Sequence, residues 1–297
     1  MGALRGVTSL TAPQPALLTG ASGFVGRRLL HSAERPLRVL AHSSPVDVEH
    51  EVVRGDLLEP GLPWSSWLDG MTRLVHAARP SAGTDRGRRR IAKRTAVANE
   101  ALLSAAHAHG VPALAVHGSL SYGDRGEAMV HAGADVNPIG YAEAYAVGEA
   151  PWRAQAGPGC TVVRAPWILG PGSWFSMLYG GPTVPCFGDG SMWMSIVDVD
   201  AFASWVWTVA DEAPGGVVHP PLLVRCRQRD FAARVAEARG ATIEAWSEAR
   251  TRKAYGKQAA ASIFASLRMD DGQGDAAEAS ARFEDLDRVV QSVIGRS

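Results

Sequence analysis

Gly20, Gly23 and Gly26 stand three residues apart in Thr19-Gly20-Ala21-Ser22-Gly23-Phe24-Val25-Gly26, a spacing that can cradle a pyrophosphate. Gly20 permits a tight turn, Gly23 lets the backbone approach the phosphates, and Gly26 lets the next helix lie close on a sheet. The start of that helix adds free N–H groups and the positive end of its dipole. The competing reading is a glycine turn kept for close packing alone. A site of this kind needs a strand before it and a helix after it. Ala16 to Thr19 reads as the strand, and Phe24, Val25, Leu29 and Leu30 mark the helix.

Further strand-like runs follow at Leu37 to Ala41, Glu51 to Arg54, Arg73 to Ala77 and Ala113 to His117, mostly separated by helix-length segments. One of these, Arg89 to His109, is alanine-rich, with an apolar stripe expected through Val97, Leu102 and Leu103. The alternation predicts an α/β fold, a Rossmann-type doubly wound parallel sheet covered on both faces. Residues 1–165 are read as the dinucleotide-binding domain. Residues 166–297 are read mainly as a smaller C-terminal substrate lobe, with some segments returning to the first domain. Within the lobe, helices are expected over Val199 to Ala210 and Ala281 to Ile294, and a strand–helix pair over Leu222 to Arg239.

Composition narrows the function. Thirty Lys and Arg against thirty Asp and Glu give zero net charge, which argues against a general nucleic-acid binder. No apolar run approaches the ~18–20 residues that span a bilayer, and no secretory leader is read at Met1 to Leu10. Cys160, Cys186 and Cys226 are too few and too widely spaced for a disulfide framework or a metal site, so free thiols in a cytoplasmic protein are expected. Arg86 to Arg94 carries six basic residues, read as a solvated helix face or an anion contact.

The glycine turn resembles the fingerprint of the extended and atypical short-chain dehydrogenase/reductases, and further landmarks of that family recur in order. Gly55-Asp56-Leu57 resembles its adenine-contacting segment, and Val75-His76-Ala77-Ala78-Arg79 its strand end beneath the pyrophosphate. Arg164-Ala165-Pro166-Trp167-Ile168-Leu169-Gly170-Pro171 is similar to its turn beside the nicotinamide, while Gly188-Asp189-Gly190 and Val197-Asp198-Val199-Asp200 match late landmarks. The resemblance covers roughly residues 16 to 240. It implies a nicotinamide dinucleotide held by Gly20, Ser22, Gly23, Phe24, Val25, Gly26 and Arg27, with Asp56, Leu57, Ala77, Ala78, Arg79, Pro166, Trp167 and Ile168. The second strand ends in His42, Ser43 and Ser44, with Asp47 the nearest following acid. An uncharged, hydroxyl-bearing end suits a ribose 2′-phosphate, with Arg27 as its partner or else a plain surface residue, so NADP(H) is expected.

The resemblance further implies a Ser, a Tyr and a Lys one helical turn beyond the Tyr. Tyr141 matches the acid–base Tyr, Ser119 supplies the Ser after a one-residue shift, and Tyr145 stands where the Lys belongs. Lys93 is the only lysine in the first half of the chain. A tyrosine without a neighbouring cation is a better proton donor than base at neutral pH, which favours reduction of a carbonyl. The competing reading of Tyr141 is an ordinary buried tyrosine.

Trp167, Trp174, Phe175, Trp193 and Met194 are the candidate substrate wall, in a region where Gly170 to Ile196 holds no Lys or Arg. The expected partner is a small aromatic, polyketide-like ketone, and the expected enzyme an NADPH-dependent ketoreductase of secondary metabolism. A catalytically silent NADP sensor and a small-molecule epimerase or isomerase are the alternatives. No metal is expected, and nothing in the sequence sets the oligomeric state.

Overall fold

Every residue of Ala16–Thr19 (β1) is buried, as befits a strand covered on both faces. The computed structural model describes residues 14–44, 46, 49–221, 224–271 and 282–294; Asp47, Leu222 and Ala281 lie outside them. After β1 come Phe24–His31 (α1), Leu37–Ala41 (β2), Glu51–Arg54 (β3), Trp64–Leu68 (α2), Arg73–His76 (β4), Asp85–Ala108 (α3) and Ala113–Gly118 (β5). A short 3₁₀ turn, Ser119–Tyr122, and the two-residue Met129–Val130 (β6) lead to Ala142–Gln155 (α4) and Cys160–Ala165 (β7).

The lobe starts with Trp167–Leu169 (β8), Phe175–Tyr179 (α5), Thr183–Phe187 (β9), Trp193–Asp198 (β10) and Val199–Glu212 (α6). Gly216–Val218 (β11), Val224–Arg227 (β12), Gln228–Arg239 (α7), Thr242–Trp246 (β13) and Glu248–Tyr255 (α8) follow. The described chain ends with Lys257–Ile263 (α9), Arg268–Met269 (β14) and Arg282–Ile294 (α10).

Seven strands form one parallel sheet in the order β11-β7-β5-β4-β1-β2-β3. Beta alternation divides the apolar residues between two cores. Leu17, Leu74, Leu102, Leu103 and Trp152 pack under α2, α3 and α4, whereas Leu18, Val39, Val75, Phe202 and Val206 pack under α1 and α6. A third core, around Tyr179, Phe187 and Phe231, belongs to the lobe. β1 pairs with both β2 and β4, so the chain leaves the middle of the sheet in opposite directions and opens a crevice at the strand ends.

The α3 expectation needs correction. The helix starts at Asp85, where the Thr84 hydroxyl accepts from the Gly87 N–H at 3.1 Å. Val97 is 67% exposed, because it lies well round the helix from the buried residues Ala92, Thr95, Asn99, Leu102 and Leu103.

α4 is pinned to β7 by charge. One Arg164 Nη1 donates to both carboxylate oxygens of Glu149 at 2.9 Å, and the two side chains are only 1% and 2% exposed. Arg153 Nε, at 3.3 Å, and His117 Nδ1, at 3.6 Å, complete the surroundings of the carboxylate. Removing one partner strands the other charge in the interior. Arg164→Met is therefore expected to lose about 3–5 kcal/mol in urea unfolding, and adding Glu149→Leu should return part of that loss.

Candidate functional site

The glycine turn is shaped by contact. Gly20 has φ +80°, and a Cβ there would sit 2.4 Å from the backbone nitrogen of Ala78. A Cβ on Gly26 would lie 1.9 Å from the Gly20 carbonyl oxygen, so α1 starts as close to β1 as a bare backbone allows. Gly23 brings no capping side chain to α1, and the first turn holds no acid. The first-turn N–H groups of Phe24 and Val25 thus meet no competing side-chain anion, which fits a dinucleotide pyrophosphate.

Beside this turn is a shallow depression of about 340 Å³, lined by Ser22, Arg27, His31 and Ser44 among others. His42, Ser43 and Ser44 are exposed after β2. Asp56 accepts from the Leu58 N–H at 2.9 Å and so shapes its own turn, while Leu57 is buried in the core under α2. Ala77 donates its N–H to the Thr19 carbonyl at 3.0 Å, which ties the end of β4 to the glycine turn. Pro166 is buried between β7 and β8, and Ile168 packs against the core under α1.

A cleft of about 490 Å³ opens beyond the ends of β4 and β5. Ala78, Arg79, His117 and Gly118 form its strand side. Helical spacing supplies two stripes: Arg88, Ala92, Thr95 and Asn99 of α3, and Tyr141, Tyr145, Gly148 and Glu149 of or next to α4. The opposite wall is apolar, with Trp167, Trp174, Met177 and Leu178 from the lobe and Ile263 from α9. The Trp167 and Trp174 rings meet at 4.4 Å between centroids, and the Trp174 indole N–H donates to the Ile168 carbonyl at 2.9 Å.

Both tyrosines of the α4 stripe carry a cation over the ring. The Arg88 guanidinium lies 5.0 Å from the Tyr141 ring centroid and that of Arg79 lies 4.5 Å from Tyr145. Arg88 also donates to the Ala82 carbonyl and to Asp85. The Tyr145 hydroxyl shares a hydrogen bond of 2.9 Å with Ser81. The expectation of no cation near Tyr141 fails here. It followed the lysines, whereas the charges come from arginines on neighbouring elements.

Ser119 is buried at the start of its 3₁₀ turn, and the cleft is lined instead by Gly118, Leu120 and Ser121. Of the expected substrate wall, Trp167 and Trp174 line the cleft and the others do not. Phe175 and Met194 sit in the lobe core. Trp193 alternates with Met194 on β10 and lies between Arg227 and Arg268, 4.0 and 4.7 Å from its ring, with its indole N–H on Glu127 at 3.0 Å. Tyr145, read at the position of the Lys, and Met177 line the cleft, together with Ser121, Arg88, His117 and Ile263, which the sequence reading did not name as site residues. No local pattern points to Ile263.

Under the cleft floor the polar groups are strongly perturbed. Burial lowers His76 to about 4 and is the main cause of the His117 shift well below the usual value, with Arg164 next. Burial also raises the Tyr122 phenol to about 12. Among the described residues no cluster of three His, Cys, Asp or Glu could hold a metal ion, and no helix is long and apolar enough to cross a membrane.

Solved structures share this architecture. DesIV, a dTDP-glucose 4,6-dehydratase from Streptomyces venezuelae with NAD and TYD bound, matches at TM-score 0.65 and 20% identity, over 94% of this chain and 96% of its own. Human epimerase family protein SDR39U1, isoform 2, with NADPH, matches at TM-score 0.72 and 16% identity, over 95% and 100%. UDP-N-acetylglucosamine 4-epimerase from Methanobrevibacter ruminantium M1, in complex with UDP-N-acetylmuramic acid, matches at 0.69 and 14%, over 97% and 100%. At these identities the likeness is one of fold. No curated protein matches the chain. A family model matches residues 16–219, a span that holds the glycine turn, the α4 stripe and all seven strands of the main sheet. The chain belongs to the NAD dependent epimerase/dehydratase family.

Proposed function

We propose that this protein is an NADPH-dependent ketoreductase acting on the carbonyl of an aromatic, polyketide-like ketone, of the angucyclinone-reducing kind. The observation that carries this reading is the two-sided cleft: a paired-indole apolar wall faces a floor of phenols, and the floor runs on to the glycine turn. Flat polycyclic bodies suit indole and thioether surfaces, and Met177, 60% exposed, is free to pack on one. The stretch from Gly170 to Ile196 offers no basic side chain to a nucleotide diphosphate. That supports a different substrate from the sugar nucleotides named for some structural neighbours.

A bound nicotinamide dinucleotide would supply the reducing equivalent. The glycine turn would hold its pyrophosphate, and Arg27, His31, Ser22 and Ser44 gather cationic and hydroxyl groups suited to a 2′-phosphate. Tyr141 lines the cleft and is proposed to offer its phenol to the carbonyl. Tyr145, held by Ser81 and Arg79, fixes the neighbouring surface rather than supplying an ammonium. With that relay incomplete, a phenol on the substrate itself is proposed to share in delivering the proton to the new alcohol. Free Cys160, Cys186 and Cys226 are consistent with work in a reducing cytoplasm. A buried Ser119 and a tyrosine for the lysine also favour one alternative, a cofactor sensor without turnover. Loss of NADPH absorbance on adding an angucyclinone ketone supports the enzyme, and cofactor binding without turnover across a panel of polycyclic ketones supports the sensor.

Three outcomes are expected. Calorimetric titration should show tighter binding of NADPH than NADH, and Arg27→Asp or Ser43→Asp should shift that ratio towards NADH; an unchanged ratio removes those residues from the phosphate site. Trp167→Ala should cost on the order of 1 kcal/mol of ketone binding, read as a several-fold rise in KM with NADPH affinity retained, while Trp193→Ala, outside the cleft, should leave KM alone. Tyr141→Phe and Ser119→Ala should each keep measurable turnover. A Tyr141→Phe loss of roughly 10²–10⁴-fold, with folding and cofactor binding intact, would make Tyr141 the proton donor.

A further inference from the structure

Three buried polar atoms beneath the cleft floor find no hydrogen-bond partner among the described residues: Nε2 of His76, Nε2 of His117 and Nε1 of Trp152. They gather around one indole. His76 pairs with Ala115 in the β4–β5 register, so His117, two residues further along β5, projects from the same face of the sheet. The His76 ring stacks on Trp152 at 5.3 Å between centroids, and the His117 ring meets it edge-on at 6.3 Å. His76 and Trp152 are almost wholly buried. An unmet polar atom at such depth costs about 1–3 kcal/mol, so each of the three, gathered on one indole, calls for a partner.

The second nitrogen of each imidazole has a polar neighbour. His76 Nδ1 lies 2.8 Å from the Thr19 hydroxyl, and His117 Nδ1 lies 3.6 Å from a Glu149 carboxylate oxygen. At 3.6 Å the contact is longer than a hydrogen bond, but the negative carboxylate favours a proton over a lone pair on His117 Nδ1, the tautomer that leaves a lone pair on Nε2. The Thr19 hydroxyl can donate to His76 Nδ1 or accept from it; in the tautomer with Nδ1–H donating, His76 Nε2 is likewise an acceptor, and the Trp152 Nε1–H is a donor. Burial keeps both imidazoles neutral near pH 7. Two acceptors and one donor are the complement of one water molecule, which offers two O–H groups and spare lone pairs.

We propose that one internal water, accepting from Trp152 Nε1 and donating to Nε2 of His76 and of His117, closes a polar row from Thr19 to Glu149, and that His117 acts through this row as a positioning residue for the cleft. The row starts beside Gly20 of the glycine turn and ends at a carboxylate on the same helix face as Tyr141 and Tyr145. Held at Nε2, the His117 ring keeps its Nδ1–H directed at Glu149, and Glu149 stays turned to Arg164. The positioning role rests on the ketoreductase reading; the water site does not.

Two measurements on the full chain test the site without turnover. Long-range ¹H–¹⁵N correlation spectra at pH 7 should show His76 and His117 as neutral Nδ1–H tautomers. A crystal structure fine enough to resolve waters should show one within hydrogen-bond distance of all three atoms. An Nε2–H tautomer or a protonated ring at His117, or no water density between the two imidazoles, overturns the site. Kinetics then test the role. His117→Phe, which fills the space without nitrogen, should lower kcat about tenfold to a hundredfold, as small misplacements in a site do. NADPH affinity should stay close to that of the unchanged protein. His117→Asn, whose amide can still donate to Glu149, should recover part of the loss. A folded His117→Phe protein with unchanged kcat removes the positioning role.

Discussion

Arg164 and Glu149 are taken almost completely out of water, and each charge is held there by the other. Arg153 one turn along α4 and His117 on β5 add their nitrogens beside the Glu149 carboxylate, at 3.3 and 3.6 Å. The geometry of α4 follows. Once Glu149 is fixed against β7, Tyr145 and Tyr141 fall one and two turns back on the same face, at the mouth of the cleft. Trp152 is carried beneath the helix onto the imidazoles of β4 and β5. A single neutralised charge thereby sets where the phenols stand relative to the strand ends.

A second constraint comes from backbone contact rather than charge. Gly20 and Gly26 leave no room for a side chain between β1, α1 and the end of β4. The glycine turn and the cleft floor share the segment Ala77 to Arg79, so a shift in the turn moves the cation that lies over Tyr145. Lobe and sheet meet across this floor, with α9 supplying part of the wall through Ser262, whose hydroxyl accepts from the Tyr141 N–H at 3.2 Å.

The strands of the first half were legible because each is a short apolar run between turn signals, and the glycine turn because its spacing has a mechanical reason. β13 was not: its pairing with β9 joins residues almost sixty apart, and Thr242 to Trp246 is mostly exposed. Phe175, Trp193 and Met194 show a different limit. Composition marked the region as aromatic, but strand alternation and the first turn of α5 decide which rings enter the cleft. The cations over Tyr141 and Tyr145 come from residues more than fifty positions earlier: the packing of α3 on α4 brings Arg88 there, and the segment after β4 brings Arg79. Val97 is apolar yet exposed, because its angle round α3 sets it away from the buried stripe.

β11 gives the molecule an order of assembly. Gly216 to Val218 completes the seven-stranded sheet by lying along β7, although the chain passes through β8, β9 and β10 before reaching it. While the polypeptide leaves the ribosome, β7 stays an open edge, rich in Thr and Val, until some fifty further residues have been made. A nascent chain arrested in that interval presents a sticky parallel strand to its neighbours. The edge of β7 is covered only when β11 returns to it from beyond β8, β9 and β10.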